Sequence, residues 1–344
     1  MVNYRCEKCG KDFTQKSHYD KHMARKTSCV KVEKLEDMVT KIVEKKMATI
    51  TQSASTASTT EDDHEASTTI VAAAPRTTPV EVRPNLSPMF KWCGGKKDEI
   101  KNILPYMPVS YDTYLEPFIG GGGLFFHVNP QKAVIGDVHA ELIDFYQNIK
   151  QGKGQEIHDF MSSHPNTEET YYSVRDDYDH KDALDNAKRF FYLRKTCFRG
   201  MLRYNKKGGF NIPFGRYKTY SFEELKNKHY ETLLKNTTVI KGSFEKIFTE
   251  YDNENNFMFL DPPYDSEFTD YGYCSFGKKE HEALAACFKK TKIKCLMIIG
   301  KTDFISGLYN GYIAAEYDKK YRFKIHSGRV GDEIDNKHLV IKNY

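Results

Sequence analysis

Phe257-Met258-Phe259-Leu260-Asp261-Pro262-Pro263-Tyr264 is the stretch from which the fold is read. Four consecutive apolar residues form a short buried strand, and the polar tetrapeptide follows at once, so it must emerge where the strand ends. In open α/β sheets that rim is where ligands bind. The two prolines fix φ and remove two backbone donors, which leaves a rigid turn whose carbonyl oxygens are open to a ligand. Beside them stand one carboxylate and one aromatic face. That set suits a planar ring with an exocyclic amino group: Asp261 and the Pro262 carbonyl accept its two N–H bonds, and Tyr264 stacks on the ring. The plainer reading is a strand end followed by a Pro-Pro turn and a surface tyrosine.

Two further stretches upstream have the same form. Tyr111-Asp112-Thr113-Tyr114-Leu115 reads as a strand that runs into Glu116-Pro117-Phe118-Ile119-Gly120-Gly121-Gly122-Gly123 and then a helical Leu-Phe-Phe. A glycine-rich strand-to-helix turn brings backbone close to a ligand. Ala133-Val134-Ile135-Gly136-Asp137 reads as the next strand, ending in an acid where nucleoside-binding α/β folds accept from ribose hydroxyls. Ahead of both, Lys91-Trp92-Cys93-Gly94-Gly95-Lys96 holds the single tryptophan beside a Gly-Gly pair. The expected fold is a mostly parallel α/β sheet of Rossmann type with helices on both faces, and the alternation from Tyr321 to Leu339 adds an antiparallel pair at the end.

Composition agrees with this reading. The 344 residues are 39% hydrophobic and 13% aromatic, ample for one large domain with appendages. No apolar run approaches about 18 residues, so neither a membrane span nor a secretory signal is expected. Among eight cysteines only Cys6 and Cys9 have metal-like spacing, which points to a reducing, intracellular compartment. The net charge of +5 is mild, so its distribution matters more than its sum.

That distribution is uneven. Residues 188–218 hold ten Lys/Arg and no Asp or Glu, interleaved with Phe190, Phe191, Tyr192, Phe198, Tyr204, Phe210 and Phe214. Such a stretch reads as a phosphate-contacting surface whose aromatic side chains reach bases. It lies inside a segment, about 148–255, that interrupts the two halves of the sheet.

Lys-Trp-Cys-Gly-Gly-Lys, Glu-Pro-Phe-Ile-Gly-Gly-Gly, Gly-Asp-Val-His-Ala-Glu-Leu-Ile and Asp-Pro-Pro-Tyr, in this order, resemble the motifs of the Dam-type DNA adenine-N6 methyltransferases. The resemblance covers roughly residues 87–344. It implies transfer of a methyl group from S-adenosylmethionine to N6 of an adenine flipped out of double-stranded DNA, with Asp261, Pro262, Pro263 and Tyr264 catalytic. By the same resemblance Trp92, Lys96, Phe118, Gly120, Asp137 and Asp261 contact the cofactor. Arg199 to Tyr217 is similar to the family's recognition hairpin, with Lys206 to Gly209 as its turn. Lys91, Arg199, Arg203, Asn205, Lys206 and Arg216 are then the DNA-binding residues, and GATC is the expected target. Arg199 departs from the family, where that position is commonly Asn. Other readings are methylation of RNA adenine or of another amino group, and a catalytically inactive DNA-binding protein. A cognate restriction endonuclease is a further expected partner.

The first 86 residues are not part of that family's usual chain. Cys6 and Cys9, with His22 twelve residues after Cys9 (counting the residues between) and Cys29 six beyond His22, resemble a ββα zinc finger with Cys29 in place of the second histidine. Thiolate and imidazole both suit structural Zn²⁺. Phe13 and Tyr19, or Met23, would form its small core, and His18 reads as a helix-surface residue. The domain plan is a finger at 1–30, an amphipathic helix at 31–47, a Ser/Thr/Ala-rich linker at 48–86 and the catalytic body at 87–344. The helix would pair with itself, with a partner or with its own chain. Such a finger fusion fits a large DNA virus, acting in the nucleus or cytoplasm of its host.

Overall fold

The computed structural model describes residues 4–6, 12–13, 15–23, 84–179, 181–265, 275–321 and 334–344. The chain divides into two compact units, Met1–Thr78 and Pro79–Tyr344.

In the first unit, β1 (Tyr4–Arg5) pairs antiparallel with β2 (Asp12–Phe13), and α1 (Lys16–Met23) follows, which is the expected ββα order. The Phe13 ring lies 6.0 Å from Tyr19 and 4.9 Å from His22, so the small core is aromatic. Cys6 and His22 are buried, while His18 is exposed and Met23 is largely so. Cys9, Cys29, the helix expected at 31–47 and the linker up to residue 83 lie outside the described residues.

The second unit is built on one sheet. Its strands are β3 (Tyr114–Glu116), β4 (Ala133–Asp137), β5 (Thr237–Lys241), β6 (Phe257–Leu260), β7 (Lys294–Gly300), β8 (Ile313–Tyr321) and β9 (Ile334–Lys342). They run in the order β5-β4-β3-β6-β7-β9-β8, with the first five parallel and β9 antiparallel to both neighbours. Helical crossovers carry the chain from β3 to β4, β4 to β5 and β6 to β7, each a parallel neighbour, while the helical crossover after β5 takes it from that edge strand back across to β6 beside β3. The helices are α2 (Ile100–Ile103), α3 (Gly123–Val128), α4 (Ala140–Lys150), α5 (Gly154–Ser163), α6 (Glu168–Tyr172) and α7 (Ala183–Thr196). After these come α8 (Lys228–Lys235), α9 (Phe244–Glu250), α10 (Lys278–Lys290) and α11 (Asp303–Leu308). None of the described helices is long and apolar enough to cross a membrane.

Alternate strand residues feed two separate cores. Phe257 and Phe259 join Tyr114, Ile135 and Ile298 on the face covered by α4 and α7. Met258 and Leu260 join Leu115, Val134 and Ile299 on the face covered by α9 and α10. Burial on both faces is why these strands read as unbroken apolar runs.

Four expectations are corrected. β3 begins only at Tyr114; the residues before it are in a loop, where Asp112 N–H donates to the Asn255 carbonyl ahead of β6. The segment expected at 148–255 includes β5, a strand of the sheet, and α9, which packs on the sheet's face, so the part outside that framework ends at α8. Its aromatic residues are structural: Phe190, Phe191, Tyr192 and Phe210 are buried, with Phe191 stacked on Phe145 at 5.2 Å. Leu86, counted with the linker, is also buried, and the Asn129 amide donates to the Pro84 carbonyl.

The Phe191→Ala variant should therefore lose about 3–5 kcal/mol of stability. Urea unfolding would measure this, and duplex DNA affinity per folded molecule should stay unchanged.

Candidate active site

β3 is the switch point of the sheet, since the chain proceeds to β4 and β5 on one side and to β6 and β7 on the other. Ligand crevices in such sheets open at the carboxyl ends of the strands around that point. Three carboxylates stand there. Glu116 closes β3, Asp137 closes β4 and Asp261 follows β6.

Asp261 is held by Lys96, whose Nζ lies 2.5 Å from Oδ1 and also donates to the Gly94 carbonyl at 2.8 Å. The lysine side chain is only 2% exposed, so its charge has almost no water and depends on this pair. The same ammonium sits 5.1 Å from the centre of the Tyr264 ring. Burial pushes the Asp261 carboxyl above its ordinary range, and Lys96 opposes that shift. Glu116 is buried beside them and accepts from the Tyr114 hydroxyl at 2.6 Å. Burial raises its pKa well above the usual value, against the opposing effects of the Tyr114 hydroxyl and Lys96.

A second group of residues forms around the glycine turn. Asp137 accepts from Gly120 N–H at 3.1 Å and from His139 N–H at 3.0 Å. Burial still outweighs these bonds and lifts its pKa to about 6. Gly120 has φ +44°, and a Cβ there would fall 2.6 Å from Trp92 Nε1, so only glycine lets the turn seat against the indole. Phe118 packs on Phe244 and Phe276 at 5.5 and 5.6 Å. The expected cofactor residues thus fall into two clusters joined by the segment from Trp92 to Lys96.

The basic stretch is organised by a residue the sequence did not single out. Arg194 on α7 is buried, donates to the carbonyls of Lys91 (2.9 Å), Met201 (2.6 Å) and Gly200, and lies 5.5 Å from the Trp92 ring. It ties Lys91 to the start of the recognition stretch. Gly200, at φ +65°, packs so closely that a Cβ would reach Lys91 Cβ at 2.8 Å. Nothing in the local sequence distinguishes Arg194 from a surface arginine.

Of the ten basic residues, Arg189 meets Glu141 at 2.8 Å, Lys188 meets Asp185 at 3.2 Å and Lys195 meets Glu224. With Arg194 these four are internal, and Arg199, Arg203, Lys206, Lys207, Arg216 and Lys218 are exposed. The turn forms where expected: Gly208 N–H donates to the Asn205 carbonyl, and Asn205 N–H to Gly209. Asn205 Oδ1 accepts from Lys207 and Gly209 N–H, so its side chain holds the turn. Arg203 Nε donates to Asn211 Oδ1 at 2.8 Å, and Arg216 reaches Glu168 at 3.0 Å. Arg199 and Arg216 carry φ of +57° and +53°, a strained conformation for a non-glycine residue.

Residues 92–325 match the D12 class N6 adenine-specific DNA methyltransferase family. The chain is 60% identical to Type II methyltransferase M.CviBI of Paramecium bursaria Chlorella virus NC1A over 261 residues, 75% of this chain and 100% of the relative. It is 36% identical to Type II methyltransferase M1.LlaDCHI of Lactococcus lactis subsp. cremoris over 62% of this chain and 80% of the relative. With the DNA adenine methylase of Haemophilus influenzae it shares 29% identity over 67% of this chain and 86% of the relative.

The chain belongs to the D12 class of N6 adenine-specific DNA methyltransferases. It is a site-specific DNA adenine methyltransferase that acts on double-stranded DNA with S-adenosylmethionine as methyl donor. The readings as an RNA enzyme or an inactive DNA-binding protein give way to this one. Residues 1–91 lie outside the family match.

The raised pKa of Asp137 has a signed consequence for the methyltransferase. The folded state holds this proton more tightly than the unfolded chain, so the group's contribution to stability is full below pH 3.8 and is lost as pH rises through about 6. Asn cannot ionise. Relative to wild type, Asp137→Asn should gain about 1.4 kcal/mol per pH unit across that window, measured by urea unfolding at pH 4 to 7.

Proposed function

We propose that the target sequence is GATC and that Asp261-Pro262-Pro263-Tyr264 is the seat of the flipped adenine. The observation that carries the specificity is Arg194, which binds the Lys91, Gly200 and Met201 carbonyls and so makes one unit of the two base-reading elements, Lys91 and the stretch containing Arg203. Lys206, Arg199 and Arg216 add phosphate contacts around that unit.

The donor is a sulfonium cation with two ribose hydroxyls and an aromatic base, and the residues present suit each part. Asp261 and Lys96 lie toward the reacting end, Asp137 accepts from the ribose, and Trp92, Gly120 and Phe118 supply flat and apolar walls. S-adenosylmethionine supplies an already activated methyl group. The adenine amino nitrogen is a poor nucleophile, because its lone pair is delocalised into the ring. Asp261 and the Pro262 carbonyl accept its two N–H bonds, which favours a more tetrahedral nitrogen and aims its lone pair. Tyr264 stacks on the ring and offsets part of the few kcal/mol needed to unstack the base.

The finger reading rests on the ββα order and on the burial of both Cys6 and His22. Cys6, Cys9, His22 and Cys29 would hold one structural Zn²⁺, and the finger on its linker would raise the local concentration of the catalytic body at DNA. Self-association through residues 31–47, a GATC-cutting endonuclease as partner, and action in the nucleus or cytoplasm of a virus-infected host complete the proposal.

Methyl transfer from labelled S-adenosylmethionine should be confined to duplexes containing GATC. Equal labelling of a duplex with that site scrambled would overturn the target. Elemental analysis of the full chain should find about one zinc per molecule. Cys9→Ser should release the metal without lowering the transfer rate at saturating DNA, and a metal-free wild-type chain would refute the finger.

A further inference from the structure

Lys96 and Glu99 begin and end one turn of 3₁₀ helix, in which residues three apart share a side. Lys96 reaches Asp261, and Glu99 reaches a different set of partners. His338 Nδ1 donates to Glu99 Oε2 at 2.6 Å, the Tyr317 hydroxyl donates to the same oxygen at 2.6 Å, and Lys319 Nζ lies 3.0 Å from Oε1. His338 comes from β9, and Tyr317 and Lys319 from β8, so the closing antiparallel pair of the sheet is fastened to the turn that carries Lys96.

His338 is fully buried, and its ring stands 5.3 Å from Tyr264 at an interplanar angle of 84°. With the Lys96 ammonium 5.1 Å from the same ring, Tyr264 is bounded by Lys96 from one end of the helical turn and by His338, which is held by Glu99 at the other end. A histidine that donates one ring nitrogen to a carboxylate has its plane and tautomer fixed. The Glu99 carboxylate is a stable anchor: burial alone would raise its pKa, but the bonds from His338 and Tyr317 and the nearby Lys96 hold it at about 2.

We propose that Glu99 and His338 are positioning residues that fix the ring of Tyr264 for stacking on the flipped adenine. This rests on the reading of the tetrapeptide as the adenine seat. The pair acts through Tyr264 and touches neither substrate.

Single-turnover methyl transfer to a GATC duplex tests this in a double-mutant cycle. His338→Asn keeps a donor toward Glu99 and removes the ring edge. It should slow transfer about tenfold, with donor and duplex dissociation constants within about twofold of wild type, the split expected when orientation rather than binding is lost. Combined with Tyr264→Ala, it should be no slower than Tyr264→Ala alone. A wild-type rate for His338→Asn, or additive slowing in the double variant, would overturn the proposal. Full activity of Tyr264→Ala by itself would instead remove the adenine-seat reading, and the proposal with it. Should His338→Asn fail to fold, Tyr317→Phe removes one bond to Glu99 from a half-buried strand. In the same assay it should slow transfer with unchanged dissociation constants, and a wild-type rate would again overturn the proposal.

Discussion

The ion pair between Lys96 and Asp261 is the constraint on which the active site depends. It joins a turn ahead of β3 to the end of the central strand β6, across 165 residues of chain. An ammonium with 2% exposure cannot rely on water, and removing its partner costs about 3–5 kcal/mol. The pair also neutralises charge where a cationic donor and a neutral base must meet. In the proposed mechanism Asp261 is thereby an acceptor with its orientation already set, the form of preorganisation that accelerates transfer.

The same logic extends outward to DNA. Arg194 commits its guanidinium to three backbone carbonyls and the Trp92 ring, which ties the Lys91–Trp92 segment to Gly200 and Met201, the two elements that the proposed function assigns to the donor site and to base reading. A second tie lies nearby. His139 caps α4 by accepting from Leu142 N–H at Nδ1, which leaves its Nε2–H to donate to the Tyr204 hydroxyl, and that hydroxyl donates to Glu141. Burial holds the His139 pKa down at about 3, so the link stays neutral and intact at working pH. The recognition turn is thus anchored to the residues that follow Asp137.

Much of this was legible in the sequence, because strand ends carry local signals. Phe257–Leu260 and Ala133–Asp137 form strands at the expected residues, and the acids and glycines beside them converge as an α/β switch point requires. What failed was any inference that needed distant partners. The basic stretch looked uncompensated because Glu141, Asp185, Glu224 and Glu168 lie outside it. Its aromatics looked available to bases because a core helix and a nucleic-acid face show the same interleaving of rings and charges until the fold says which side is buried. Glu99 and His338, 239 residues apart, carry no local signal at all.

The most direct measurement is single-turnover methyl transfer by Asp261→Ala, with donor and duplex binding measured on the same protein. If Asp261 is the acceptor that orients the adenine nitrogen, the variant folds, binds duplex and transfers no detectable methyl. Transfer at or near the wild-type rate would contradict that role and with it the mechanism built on the Lys96–Asp261 pair.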